Sequence, residues 1–278
     1  GTAPGILAEY KNKTFVCMPG VPSEMKAMLE ESVSGLFKTG EKVVVSKKLR
    51  CFGMGESSMA DKLGDMMKRG RNPLINCTCE GSIITLHIVA SAENREKCRR
   101  MIAEDEKTLR GIFGDVIFGQ EDETLSSALG AELIRTGKTI ATAESCTGGL
   151  LAKMIVDIPG CSKYFSSGWV TYANRAKINN LGVDPELIEK NGAVSEEVAA
   201  AMASGAREKA EADIGVGITG IAGPGGGTEQ KPVGLVYIGI NIGGKIVVNR
   251  YVFSHTRQAV RLRAALTALN MVRLALID

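Results

Sequence analysis

The sequence reads Ala141-Thr142-Ala143-Glu144-Ser145-Cys146-Thr147-Gly148-Gly149 where a β-prone run, Lys138 to Thr142, gives way to an apolar helix, Leu150 to Ile155. A serine on the turn between a strand and a helix lies among backbone N–H groups that can hold a developing negative charge. Such surroundings suit an attacking hydroxyl. They equally suit a residue that merely caps the helix. The stretch therefore predicts a strand–turn–helix unit and leaves the role of Ser145 open between cap and nucleophile.

Composition narrows the class of protein. The chain has 278 residues, enough for more than one domain, with 44% hydrophobic and 23% charged residues. Its net charge of +3 is too small to imply a nucleic-acid or membrane partner. No apolar run approaches the roughly 18 residues that a membrane span needs. Seven scattered cysteines favour a reducing compartment over a disulfide framework, so we expect a cytoplasmic protein.

The pattern divides the chain into three parts. Residues 1–38 predict a strand, a turn and a helix, too little to bury their own apolar side chains. Residues 40–120 predict a small α+β domain with β-α-β-β-α-β order, as in ferredoxin-like domains. Residues 124–278 alternate helices and strands and predict an α/β/α sandwich on a mixed sheet. The predicted strands are Thr14–Met18, Val43–Cys51, Leu74–Cys79, Ile83–Ala90, Asp115–Phe118, Lys138–Thr142, Ser167–Tyr172, Ile214–Ile218, Gly234–Ile242 and Lys245–Phe253; the predicted helices run through Met25 and Leu29, over Glu56–Met67, Glu93–Leu109, Leu125–Arg135 and Leu150–Ile155, from Asn174, and over Ser195–Ala210 and Thr256–Ile277.

A nucleophilic serine needs a base, and the chain has few histidines that could serve as one. The chain has only His87 and His255, and it has no Gly-x-Ser-x-Gly elbow. Lysine can serve when desolvation lowers its pKa. The candidate is Lys177, in the first turns of a predicted helix that follows Tyr172 at a strand end, so the two side chains can converge at the sheet edge. A rim tyrosine and a solvated lysine are the ordinary alternatives.

Short-chain dehydrogenases also use serine, tyrosine and lysine, with the lysine one helical turn after the tyrosine. Here Tyr172 and Lys177 are five residues apart, which turns their side chains away from each other on a continuous helix. The glycine-rich turn expected after the first strand of a dinucleotide-binding fold is also missing. The sequence therefore argues against that class.

Two further features suit an anionic ligand. The glycine-rich run Gly217–Gly227 follows a predicted strand and lets backbone approach a ligand closely, although no Gly-Lys-Ser/Thr follows it as in a P-loop. Thr219–Gly223 is its more ordered half, while Gly225–Thr228 reads equally as a flexible connection. Arg257 and Arg261 share a face in the first turn of the last helix, where they oppose the helix dipole unless an anion lies there. Solvent-exposed arginines without a ligand are an equally good interpretation of these two residues.

Taken together and in order, these motifs resemble the CinA family, and over most of residues 124–278 its C-terminal nicotinamide-nucleotide amidohydrolase domain. The start of the chain resembles the tail of the family's molybdopterin-binding-like domain, and residues 40–118 resemble its KH-type linking domain. The motifs that carry the resemblance are Gly1-Thr2-Ala3-Pro4-Gly5, Pro19-Gly20-Val21-Pro22-Ser23-Glu24-Met25, Ala143-Glu144-Ser145-Cys146-Thr147-Gly148-Gly149, Val170-Thr171-Tyr172, Lys177, Gly220-Ile221-Ala222-Gly223-Pro224 and Arg257.

The resemblance implies hydrolysis of the carboxamide of nicotinamide mononucleotide to nicotinate mononucleotide and ammonia, a step of pyridine nucleotide salvage. Ser145 is then the nucleophile, Lys177 the base, and Tyr172 the group that orients or relays the proton. It implies no metal or cofactor, because a nucleophilic serine forms its own tetrahedral intermediate, and it implies a homodimer. The expected binding residues are the oxyanion-holding backbone of Cys146, Thr147 and Gly148, the pocket-shaping Thr219, Gly220, Ala222 and Gly223, and, for the 5′-phosphate, Arg257 with Arg261.

Some departures from the family limit what is expected. Most of the upstream domain, which carries a separate nucleotide-pyrophosphatase activity in the family, is missing, so that activity is not predicted. The middle segment is not expected to carry the Gly-x-x-Gly clamp of RNA-binding KH modules, and a spacer or a dimer contact is its expected role. The alternative for the whole chain is a catalytically silent nucleotide-binding or protein-interaction module linked to competence.

Overall fold

The computed structural model describes residues 3–36 and 42–277. Gly1 and Thr2 of the first motif, and the predicted boundary near residues 38–40, lie outside the described residues. The first part is a hairpin of β1 (Ile6–Tyr10) and β2 (Lys13–Cys17), followed by α1 (Pro22–Met28), one π-helical turn and one 3₁₀ turn that ends at Leu36. Of its described side chains only Val33 is buried, as expected for a piece without its own core. The prediction missed β1, because the hairpin turns through Lys11 and Asn12 with positive φ and no glycine.

The middle part has the predicted β-α-β-β-α-β order. Its elements are β3 (Val43–Cys51), α2 (Glu56–Leu63), β4 (Leu74–Glu80), β5 (Ile83–Ala92), α3 (Arg95–Phe113) and β6 (Ile117–Gln120). The strands form one antiparallel sheet in the order β4-β5-β3-β6. The sheet packs with α2 and α3 around a separate hydrophobic core. Helix α3 begins at Arg95 rather than at Glu93 because the Asn94 side chain accepts a hydrogen bond from the Lys97 N–H and caps it.

The middle part contains the spacing of a Gly-x-x-Gly clamp but not the clamp itself. A Gly-x-x-Gly sequence does occur, at Gly111-Ile112-Phe113-Gly114. The structure places it on the last turn of α3, with Gly114 at the C-cap and the Phe113 side chain buried in the core. It is therefore a helix end packed against the sheet, whereas a nucleotide clamp needs an exposed loop.

The last part is the predicted α/β/α sandwich. Its sheet has the order β11-β10-β9-β7-β8, in which β7 is parallel to both β8 and β9, while β10 is antiparallel to β9 and β11. Helices α4, α5 and α9 cover one face, and α6, α7 and α8 pack together over the other. The elements are α4 (Leu125–Thr136), β7 (Ile140–Glu144), α5 (Leu150–Val156), β8 (Phe165–Val170), α6 (Asn174–Leu181), α7 (Pro185–Asn191), α8 (Glu196–Lys209), β9 (Ile214–Gly220), β10 (Leu235–Ile242), β11 (Lys245–Val252) and α9 (Arg257–Ile277).

This topology opens a crevice beside β7. The connection from β7 to β8 runs through α5 on one face, and the connection from β8 to β9 runs through α6–α8 on the other. Neighbouring connections therefore part at the carboxyl end of β7, which is where open α/β sheets bind ligands. Ser145 is the first residue after that strand.

Helix α9 is the longest described helix, with 21 residues, and four arginines interrupt its apolar surface. Among the described residues no helix is both long enough and apolar enough to cross a membrane.

Glycines let α8 lie directly on the sheet. A Cβ on Gly217 would overlap the carbonyl oxygen of Ala199, and a Cβ on Gly239 would lie 2.7 Å from the same atom. Sequence reasoning placed Gly217 in a ligand-binding run; in the structure it lies within β9, and the backbone that approaches it closely belongs to α8.

We expect Gly217→Ala to lower the free energy of unfolding by about 1–3 kcal/mol, because the added methyl group must push α8 off the sheet. Denaturant unfolding of the whole chain measures the change. The control is Gly225→Ala, at a position where a Cβ would meet nothing within 4 Å. Equal stability of the two variants would contradict the packing role.

Candidate active site

Backbone hydrogen bonds gather three strand ends around Ser145. The Ser145 N–H donates to the carbonyl of Ile218 on β9, 2.9 Å away, and the Thr171 N–H, just past β8, donates to the Glu144 carbonyl over 2.8 Å. The carboxyl ends of β8, β7 and β9 therefore meet at this point. Ser145 itself is 8% exposed, so it is largely shielded from solvent where these strand ends meet.

Lys177 reaches the same point from the first half of α6. Its side chain is 1% exposed, and its Nζ lies 3.2 Å from Ser145 Oγ. The same nitrogen donates to the carbonyl oxygens of Thr171, at 2.8 Å, and of Tyr172, at 3.2 Å. Within the described residues Lys177 forms no ion pair. Burial is the main cause that lowers the pKa of its amine, with the neighbouring Cys146 acting in the opposite direction.

The three contacts fit both protonation states of the amine: an ammonium donates to Ser145 Oγ and to both carbonyl oxygens, and the state that can act as a base is the neutral amine. Such an amine has two N–H groups and one lone pair. Two carbonyl oxygens can take the two N–H groups, which leaves the lone pair facing the hydroxyl of Ser145. The arrangement can therefore accept the proton of that hydroxyl.

Cys146 is not a competing nucleophile. Burial, helped by the charge of Glu144, raises the pKa of its thiol to about 12. The thiol is therefore protonated near neutral pH, and the reactive form of cysteine is the thiolate.

The turn after Ser145 offers fewer free N–H groups than expected. Gly148 donates its N–H to the Ser145 carbonyl at 3.1 Å, and Ser145 donates its own to Ile218. The N–H groups of Cys146 and Thr147 have no backbone acceptor among the described residues, although that of Cys146 interacts with its own thiol. Of the three N–H groups predicted to hold an oxyanion, that of Gly148 is therefore already bonded to backbone, and the role of the group as a whole stays a prediction.

The N–H groups at the N-terminus of α5 also have an acceptor. The carboxylate of Glu144 accepts hydrogen bonds from the N–H groups of Gly149, Leu151 and Ala152. Glu144 belongs to the sequence motif around Ser145, but no role for it was predicted from the sequence.

The two arginines of α9 contact backbone. Arg261 donates twice to the Thr147 carbonyl, over 2.6 and 3.2 Å, so it holds the turn of Ser145 rather than facing open space. Arg257 is exposed; it donates to the Gly223 carbonyl at 2.8 Å and to the phenol oxygen of Tyr172 at 3.3 Å. Arg257 is thus exposed at the face predicted to bind an anion, whereas Arg261 has two of its N–H groups bonded to Thr147, and an anion contact by either arginine stays a prediction.

Tyr172 contacts Lys177 through its backbone. Its carbonyl accepts from Lys177, whereas its side chain is 62% exposed. Among the described residues its phenol makes no hydrogen bond with Ser145 or Lys177; its partner is Arg257. The structure thus brings Ser145 and Lys177 together and leaves the phenol at the mouth of the crevice.

The loop after β9 is built mainly by packing. The Thr219 hydroxyl is buried and donates to the Ala193 carbonyl at 2.7 Å. A Cβ on Gly220 would lie 2.7 Å from the Leu235 carbonyl oxygen, so this glycine is required by the neighbouring strand. Three of the four predicted pocket residues are buried, and Gly220 is half-buried; their contact with a ligand stays a prediction: Thr219, Gly220, Ala222 and Gly223.

Comparison with protein families identifies two regions. Residues 122–276 match the CinA C-terminal domain, and residues 46–119 match the damage-inducible protein CinA KH domain. A CinA-like protein from Kosmotoga olearia is 45% identical over 278 residues, which are 100% of this chain and 68% of that protein. The chain spans about two thirds of the length of the relatives it matches.

Solved structures agree with this match. The competence/damage inducible protein CihA from Agrobacterium tumefaciens superposes with a TM-score of 0.54 at 40% identity, covering 55% of this chain and 94% of that one. A CinA superfamily protein from Escherichia coli gives a TM-score of 0.53 at 36% identity, covering 58% of this chain and 97% of that one.

Proposed function

The chain belongs to the CinA family, and from this membership together with the contact between Ser145 and Lys177 we propose that it hydrolyses the carboxamide of nicotinamide mononucleotide to nicotinate mononucleotide and ammonia. The observation that carries the proposal is a buried lysine whose amine lies 3.2 Å from a serine hydroxyl and has no carboxylate partner among the described residues. Amide hydrolysis is a reaction that such a nucleophile and base can perform without a metal.

In the first half of the reaction, Ser145 Oγ attacks the carboxamide carbon while its proton moves to Lys177 Nζ. The carbonyl oxygen becomes an oxyanion, which accepts hydrogen bonds from the Cys146 and Thr147 N–H groups. The intermediate collapses, the C–N bond breaks, and the Lys177 ammonium protonates the leaving group, which departs as ammonia. Ser145 is left as the ester of the pyridine carboxylate.

In the second half, a water molecule attacks the ester carbon and Lys177 takes its proton. The C–O bond to Ser145 breaks, Lys177 returns the proton to the serine oxygen, and nicotinate mononucleotide leaves. Tyr172 supplies the carbonyl that orients the amine. Its phenol relays a proton to the leaving ammonia only after rotating toward Lys177, since in the free protein it lies against Arg257.

The direct test is release of ammonia and nicotinate mononucleotide from nicotinamide mononucleotide by the whole chain. Binding of the nucleotide without any release would favour the catalytically silent module instead. We further propose a homodimer and a cytoplasmic location, with the nucleotide as the small-molecule partner and no nucleic acid.

Arg257 is proposed to meet the 5′-phosphate. We expect Arg257→Ala to lower kcat/KM for nicotinamide mononucleotide by about 10- to 100-fold, the value of a hydrogen bond to a charged group. Nicotinamide riboside has no phosphate, so its hydrolysis should change little. Arg250→Ala removes an exposed arginine of β11 and is the control. An equal loss with both substrates would contradict the phosphate contact.

A further inference from the structure

The carboxyl group of Glu144 has no part in the reaction above, yet it is buried directly beside the nucleophile. Its side chain is 1% exposed. One oxygen accepts the N–H groups of Gly149, at 3.1 Å, and Leu151, at 3.0 Å; the other accepts the N–H of Ala152, at 2.8 Å. Three donors at the positive end of a helix stabilise a buried carboxylate that has no cationic partner among the described residues.

These bonds close the turn that carries the reacting groups. Helix α5 has only seven residues, and its N-cap Gly149 provides no capping side chain. So short a helix is marginal by itself. The Glu144 carboxylate ties its first turn back to the end of β7, and the intervening backbone must pass through positive φ at Gly148 and Gly149.

A second side chain holds the same turn from the other side. The guanidinium of Arg261 donates twice to the Thr147 carbonyl. With one residue fixing the helix end and another fixing Thr147, the turn holds in one arrangement the hydroxyl of Ser145 and the N–H groups of Cys146 and Thr147, which have no backbone acceptor among the described residues.

We propose that Glu144 is a positioning residue: by capping α5 it holds Ser145 against Lys177 and aims the N–H groups of Cys146 and Thr147 at the oxyanion. The inference rests on the proposed amidohydrolase activity. Glu144 touches neither the substrate nor the reacting atoms, so it acts on the chemical step through the turn and not on nucleotide binding.

Glu144→Gln tests this with little change in size. The amide presents an NH₂ group where a carboxylate oxygen accepted a backbone N–H, so the turn loses at least one hydrogen bond and a charge. We expect kcat to fall about a hundredfold, the effect of a displacement of about 1 Å, with KM within about twofold. Rates are taken well below each variant's unfolding midpoint. The control, Glu196→Gln, removes an exposed carboxylate from the first turn of α8 and should leave kcat unchanged.

A second measurement distinguishes a loss of positioning of the oxyanion donors from a general loss of structural order. Sulfur is larger than oxygen and accepts hydrogen bonds more weakly, so a well-formed oxyanion site discriminates against the thioamide analogue of the substrate. We expect the amide-to-thioamide rate ratio to fall in Glu144→Gln but not in Glu196→Gln. If Glu144→Gln does not fold, Glu144→Asp retains the charge but shortens the reach, and the same fall in kcat and in the ratio is expected.

The outcomes distinguish the two proposals. Unchanged kcat and an unchanged rate ratio in the Glu144 variants, with Ser145→Ala inactive, would overturn the positioning role alone. Activity that persists in Ser145→Ala would overturn the proposed mechanism itself.

Discussion

Replacing Ser145 by alanine should reduce ammonia release from nicotinamide mononucleotide by at least about a thousandfold, because the variant has no oxygen that can form the acyl-enzyme. The residual rate then comes from the oxyanion donors and substrate binding alone. Nucleotide binding should persist, since the backbone of the turn is held by Glu144 and Arg261 and not by the serine side chain.

Acid quenching of the wild-type reaction gives an independent measurement. If release of the acyl group limits turnover, intact-protein mass spectrometry should find the chain heavier by the pyridine carboxylate nucleotide, and peptide mapping should place the addition on Ser145. Ser166→Ala, at an exposed position of β8, is the control and should be fully active. Equal rates in Ser145→Ala and the wild type would show that another group attacks the amide.

The sequence could indicate Ser145 and Lys177 because their signals are local. A strand that ends before a glycine-containing turn fixes where Ser145 lies, and a lysine in the first turn of the helix that follows a strand can return to that strand's edge. The structure brings the two atoms within 3.2 Å. Their catalytic roles stay predictions, which the variants above and below test.

What the sequence could not indicate depends on contacts between distant segments. Arg261 suggested an anion site from its place at a helix N-terminus, but its partner is a carbonyl 114 residues away in the chain. Gly217 suggested a ligand loop, but the backbone that fills the space of its missing side chain belongs to α8. Neither partner can be identified until the helices have docked on the sheet.

Glu144 is a different case, because its partners are only five to eight residues away. Its position at the end of a buried strand predicts an apolar side chain, and an acidic residue there is a mismatch. Since a buried carboxylate needs donors, and the nearest free donors are the N–H groups of a following helix, that mismatch was the signal that could have revealed the cap.

Lys177 gives the last prediction, in which activity and stability should change in opposite directions. Lys177→Met and Lys177→Arg should each lose at least about a thousandfold in turnover. The methionine variant has no base, and the guanidinium of arginine keeps its proton. In the wild type, turnover should rise with pH through the lowered pKa of Lys177, because only the neutral amine accepts the serine proton.

The same lowered pKa fixes the sign of the effect on stability. Between the folded pKa of Lys177 and its ordinary value of 10.5, the unfolded chain binds more protons, so stability rises with pH in that window. At pH values below the folded pKa of Lys177, the cost of burying the amine lowers the free energy of unfolding by its full amount. Lys177→Met should therefore raise the free energy of unfolding near neutral pH, and the gain should shrink as the pH approaches 10.5.

Denaturant unfolding at several pH values, beside turnover at the same values, measures both effects. Lys190→Met removes an exposed lysine of α7 and should change neither. A fully active Lys177→Arg would exclude the amine as base, and a Lys177→Met variant less stable than the wild type at neutral pH would show that the hydrogen bonds of the amine outweigh the cost of burying it. We expect Lys177→Met to be more stable than the wild type and inactive. That result would mean that the buried amine serves the reaction and does not contribute to stability.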